Sequence, residues 1–166
     1  MRNFYLLLAL LVFLVLQAVL APRIALGSIA PDFLLLVVVF FALYRGSVRG
    51  ALLGFAVGLL QDLGNPDHLG LNALTKSLLG YFVGDAGTKT FPESVTILFG
   101  LFAVSALGHD VIYLTIFHWP RVGSAFVTVV TAAIPSAVYT ALFGVLVDRV
   151  FALAGAKVVG VFGKEG

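Results

Sequence analysis

Residues 46–62 read Gly46-Ser-Val-Arg-Gly50-Ala-Leu-Leu-Gly54-Phe-Ala-Val-Gly58-Leu-Leu-Gln-Asp62. Glycine recurs at every fourth position, so on a helix Gly46, Gly50, Gly54 and Gly58 line one side. Each glycine costs a helix about 1 kcal/mol relative to alanine. A row of them therefore implies a compensating gain, and close approach of a second backbone supplies one where lipid removes the hydrophobic incentive for helices to associate. A shorter row follows at Gly80 and Gly84. These rows serve either the packing of neighbouring helices within the chain or the docking of a partner's helix.

The composition around this stretch identifies the solvent. Of 166 residues, 61% are hydrophobic and 11% charged, with a mean hydropathy of +1.11. A water-soluble chain is about a quarter charged, so the expectation is an all-α polytopic membrane protein forming one membrane domain over residues 1–166. Charges and helix breakers mark six segments, at about 4–21, 28–45, 46–62, 69–84, 94–117 and 124–151. Six spans of about 20 residues use about 120 positions and leave no room for a soluble domain. The start of the chain, Met1-Arg2 followed by an apolar run, imitates a secretory signal. The run continues to Ala21 and meets Pro22 directly after the small-residue site, so a retained first span is expected.

The middle spans are weak. Between Asp32 and Arg45, and between Arg49 and Asp62, there are 12 uncharged residues each, about 18 Å of helix against an apolar core of about 30 Å. The second reaches far enough if Ser28 to Pro31 open it, with Pro31 in its first turn and Asp32 at the positive end of its dipole. Hydropathy alone accepts four to six spans, and charge arbitrates. With six spans and both termini cytoplasmic, Arg2, Arg45, Arg49, Lys89, Arg149, Lys157 and Lys164 lie inside and Arg23 and Arg121 outside, which obeys the positive-inside rule.

Function classes fall away in turn. Without cysteine there is no disulfide, thiolate metal site or cysteine nucleophile. The basic residues form no stripe for nucleic acid, and phosphate-binding, dinucleotide and nucleophile-elbow motifs are absent. Neither catalysis nor a cofactor is expected. His68 beside Asp67 has no third ligand close in sequence, and His118-Trp119 reads as an interfacial anchor.

What remains is polar material inside the apolar segments: Asp62, Asn72, Lys76, His109 and Asp110, all in the outer half of the proposed topology. Asn72, Lys76, Gly80 and Gly84 share a stripe, so the lysine is expected to face protein, because a lipid-facing lysine is costly. Lys76 is expected to pair with Asp62, Asp110 or both. The group is either a structural clasp or a ligand or proton site. His109 and Asp110, adjacent on a helix, are expected to point about 100° apart, too far to hold one metal ion together.

The run from Gly50 to Leu63, a short polar turn, and then Leu69-Gly-Leu-Asn-Ala-Leu-Thr-Lys-Ser-Leu-Leu-Gly-Tyr-Phe-Val-Gly84 resembles the MreD family of bacterial rod-shape-determining membrane proteins. Chain length and span pattern fit that resemblance throughout, and its specific part covers about residues 31–84. The resemblance implies a noncatalytic inner-membrane scaffold of the cell-wall elongation machinery. It would bind the single-span protein MreC and act indirectly with MreB, RodA and a class B penicillin-binding protein. It also implies a six-helix bundle like the substrate-capture subunits of energy-coupling-factor vitamin transporters. Capture of a vitamin is the alternative function. Those subunits, however, dock through alanines spaced by three on the first helix, whereas this chain has Ala9, Ala18 and Ala21.

Overall fold

The computed structural model of the protein describes residues 2–27, 29–64, 69–87, 94–117 and 126–153. Among these residues the structure is six helices with no strand. Helix α1 runs through Arg2–Val15, a π-helical turn Leu16–Leu20 and a last turn Ala21–Ile24. Then come α2 (Phe33–Arg45), α3 (Ser47–Asp62), α4 (Leu71–Gly87), α5 (Val95–Phe117) and α6 (Phe126–Leu153), the last with a π-helical turn at Val129–Ala133. Residues 7–24 of α1, together with α5 and α6, are long and apolar enough to cross a membrane. His68, Lys89, His118, Trp119, Arg121, Lys157 and Lys164 lie outside the described residues.

The centre of the bundle is α2. Every residue from Phe33 to Leu43 is buried, as expected of a helix apolar on all sides. Phe33 meets Phe143 of α6 edge-on at 5.2 Å between ring centres, and Phe40 meets Phe102 of α5 at 4.9 Å. The helix begins later than the sequence suggested. Asp32 is its N-cap, accepting the Leu35 N–H at 2.8 Å, and Pro31 stays outside the helix. Residues 25–27 and 29–32 are non-helical, so their backbone groups need partners other than a helix ladder. Side chains of α6 answer them: Tyr139 donates to the Ile24 carbonyl, Ser136 donates to the Ala30 carbonyl, and Thr140 Oγ1 accepts the Asp32 N–H. Gln17 of α1 accepts the Phe33 N–H at 2.7 Å.

One residue, Gly46, reverses the chain between α2 and α3. Its φ of 86° and ψ of 177° belong to a region open to glycine. From there α3 and α4 run antiparallel in backbone contact. A Cβ at Gly50 would strike the Gly80 carbonyl, one at Gly54 the Lys76 carbonyl, and one at Gly58 the Asn72 carbonyl; a Cβ at Gly84 would strike Gly46 and Ser47. The rows of Gly46, Gly50, Gly54, Gly58, Gly80 and Gly84 are thus occupied by the chain's own helices α3 and α4. A second seam, absent from the sequence reading, uses Ala133, Ala137 and Ala141 of α6, all buried, and Gly144, where a Cβ would overlap the Phe102 ring.

Beside its apolar core the bundle buries polar and charged side chains, and it exposes large apolar ones. Asp62, Lys76, Thr75 and Thr140 are buried, while Leu52, Phe55, Phe82, Val104 and Leu142 are exposed. That inversion identifies a membrane protein. Gly54→Ala should destabilise the protein by on the order of 3 kcal/mol, because a rigid backbone carbonyl occupies the methyl's place. Gly100→Ala, which meets nothing within 4 Å, should be neutral or stabilising by up to about 1 kcal/mol. Thermal unfolding in detergent separates the two.

Candidate polar cavity

At one end of the bundle the start of α2, the ends of α1, α3 and α5, and the starts of α4 and α6 surround a cavity of about 480 Å³. Gln17, Asp32, Gln61, Asn72, His109 and Asp110 supply its polar wall. Two prolines shape it. Each π-helical turn ends one residue before a proline-preceding position: Ala21 N–H reaches back to the Leu16 carbonyl before Pro22, and Ile134 N–H to the Val129 carbonyl before Pro135. A proline ring clashes with the carbonyl four residues back, and an extra residue in the preceding turn relieves it. The two bulges carry Gln17 on one side and Ala132 and Ala133 on the other to the cavity wall.

Lys76 is wholly buried and lies 2.5 Å from Asp32 Oδ2 and 3.2 Å from His109 Nε2. The expectation that it pairs with Asp62 or Asp110 is corrected, and the reason is where each carboxylate's hydrogen bonds go. Asp62 caps α4 from outside, accepting the backbone N–H groups of Gly70, Asn72 and Ala73 and the Asn72 side-chain amide at 2.9–3.2 Å. Unpaired amides at a helix start satisfy a carboxylate without a cation. Asp32 has one backbone donor, Leu35 N–H, and its second oxygen is left for the lysine.

A lysine ammonium donates and cannot accept, so His109 Nε2 is the acceptor and Nδ1 carries the proton. Nδ1 then donates to Asp110 Oδ1 at 3.0 Å. Although neighbours on a helix set out about 100° apart, these two side chains reach each other at their tips. The result is a line of four groups, Asp32, Lys76, His109 and Asp110, buried in its middle and opening to the cavity at both carboxylates, which are 18% and 27% exposed. Of the five polar residues singled out in the sequence, Lys76, His109 and Asp110 belong to this line, and Asp62 and Asn72 form a separate cap beside it.

Sequence reading set Asp32 at the start of the second helix but did not count it in the polar cluster that it joins through Lys76. It also missed the aromatic column of α5: the rings of His109 and Tyr113 stack at 5.9 Å, and those of Tyr113 and Phe117 at 6.1 Å. Among the described residues no group of three or more His, Asp or Glu is placed to hold a metal ion.

A family model described as rod shape-determining protein MreD matches residues 1–154. No curated protein and no solved structure matches the chain.

Lys76→Met would leave Asp32 as a part-buried charge without its cation, at a cost of about 3 kcal/mol. Adding Asp32→Asn, which keeps a competent N-cap, should restore most of that stability, whereas adding Asp62→Asn or Asp110→Asn should not. The melting temperatures of the four variants in detergent decide which carboxylate is the lysine's partner.

Proposed function

This chain belongs to the MreD family of rod shape-determining proteins, and from that premise we propose that it is a noncatalytic scaffold for a single-span, MreC-like partner. Involvement in rod shape determination follows from the family. The proposed task is to hold the partner's transmembrane helix and the segment just outside the membrane, fixing the partner's orientation at the outer face. Through that partner it would act indirectly with MreB, RodA and a class B penicillin-binding protein.

In this reading all six helices cross the inner membrane and both termini are cytoplasmic. The lysine and arginine distribution supports the orientation, and in that orientation the polar cavity would open at the outer face. The 13 residues of α2 extend about 20 Å, short of an apolar core of about 30 Å. Their burial on every side removes the difficulty, since α2 meets protein rather than lipid.

The observation that carries the proposal is a stacked cleft between α1 and α6. In its inner half Leu8, Val12 and Leu16 of α1 face Leu146, Val150 and Phe151 of α6 across an apolar groove of about 440 Å³. In its outer half Gln17 of α1 and Thr128, Ala132 and Ser136 of α6 belong to the wall of the polar cavity. A single helix lying along this cleft would set its apolar span in the groove and its outer polar segment over the cavity.

Val12→Trp and Val150→Trp fill the groove from positions that are already exposed, so the fold should tolerate them. Each should lower co-purification of the partner by about tenfold, the effect of about 1.4 kcal/mol, and round up rod-shaped cells that depend on the protein. Undiminished partner retention with the groove filled contradicts the proposal. Sub-micromolar binding of a vitamin to the purified protein would favour a capture subunit instead.

A further inference from the structure

We propose that the line Asp32, Lys76, His109 and Asp110 is a proton-operated latch: one proton taken up at His109 Nε2 breaks the contact between α4 and α5 and opens the polar end of the bundle. The proposal goes beyond the scaffold reading and concerns the protein alone; the orientation proposed above decides only that the acid acts from outside. The bond at issue joins Lys76 Nζ to His109 Nε2 across 3.2 Å, with both residues buried. It exists only while Nε2 keeps its lone pair. Imidazole is the side-chain group that takes up a proton near neutral pH, and an imidazolium donates from both nitrogens and accepts at neither. Once Nε2 is protonated, two buried donors of like charge face each other and the hydrogen bond is gone.

The surroundings admit the proton without removing that conflict. His109 itself lines the cavity, so the proton has a route to the ring. Two carboxylates, Asp32 and Asp110, then balance two cations, Lys76 and His109, and the added charge has its counter-charge. Neither carboxylate lies between the cations: Asp110 is bonded at Nδ1 on the other side of the ring, and Asp32 is held as an N-cap by the Leu35 N–H. From α3, Asp62 is committed to the start of α4. Tyr113, stacked on the His109 ring from its own helix, keeps its phenol proton near neutral pH. The polar groups that α1 and α6 present to the cavity, Gln17, Thr128 and Ser136, do not titrate.

The glycine seam decides which helix gives way. Backbone contact at Gly50, Gly54, Gly58 and Gly80 locks α4 to α3. Against α5 the fit is looser: a Cβ built at Gly108, next to His109, would meet nothing nearer than a Leu79 methyl at 3.5 Å. It is therefore α5 that moves, taking His109 and Tyr113 with it and widening the cavity they line.

Nitroxide labels test this in the purified full chain, which has no native cysteine. One pair, Leu74→Cys on α4 with Val111→Cys on α5, flanks the latch, and a second, Phe82→Cys with Ile97→Cys, sits toward the other end of the same two helices; all four positions are exposed. From pH 8 to pH 5 the first distance, read by electron paramagnetic resonance, should lengthen by about 2 Å or more, the scale of helix shifts in switching proteins, while the second holds. His109→Gln gives Lys76 an oxygen acceptor that does not titrate and should abolish the change. Lys76→Met together with Asp32→Asn removes the cation that repels the imidazolium and should abolish it as well. His68 and His118 stay in every variant, so lengthening that survives His109→Gln belongs to another group and overturns the latch. Lengthening that survives the loss of Lys76 overturns it too, as does lengthening of both pairs or a first distance in the wild type that is the same at both pH values. The wild-type comparison needs no variant to fold. None of these measurements involves a partner, so the latch can fail while the scaffold reading stands.

Discussion

The backbone contact between α3 and α4 is the constraint on which the interior depends. Because position 54 carries no side chain, the Lys76 carbonyl can rest directly against α3. With that side of α4 committed to α3, the Lys76 side chain projects inward, to the start of α2 and the ring of His109. Move α4 outward by the width of a methyl group and the lysine no longer reaches Asp32. The glycine seam therefore does more than pack two helices. It sets the depth and direction of the buried lysine, and through it the tautomer of His109 and the placement of Asp110 on the cavity wall.

Much of this was legible in the sequence, for physical reasons that can be named. The glycine rows follow a helical period, so the seam could be read, though not whether it faced the chain's own helix or another protein's. Polar residues in apolar spans are conspicuous, so the set from Asp62 to Asp110 could be read as well. Its wiring could not. Carboxylates are chosen by which amides they already serve, and Asp62 is claimed by the start of α4, a relation across the turn between two helices. Asp32 was placed inside a helix it actually caps, because the length needed to span lipid argued for an earlier start. That need vanishes once α2 is seen to be surrounded by protein.

The π-helical turns were readable in principle. Pro22 and Pro135 each follow their bulge at the same offset, and a proline in a long apolar helix always raises the question of where the displaced carbonyl goes. Here both answers lie at the outer end of the bundle in the proposed topology. Two helices that would otherwise close on each other are reshaped where the cavity forms, and α6 spends Ser136, Tyr139 and Thr140 on the backbone of Ala30, Ile24 and Asp32. Chain reversal, cavity and hydroxyl rail are one construction, and α1, tied at its outer end through Gln17, leaves an apolar groove beside α6 lower down.

The account stands or falls on which face of the bundle a partner's transmembrane helix occupies. The chain contains no cysteine, so single cysteines report position without interference. Cysteine at Val12 or Val150, in the groove between α1 and α6, should form disulfides with cysteines placed along the partner's span when membranes are oxidised, and cysteine at Leu52 or Phe82, exposed on α3 and α4, should not. Cross-links confined to Leu52 and Phe82 would contradict it.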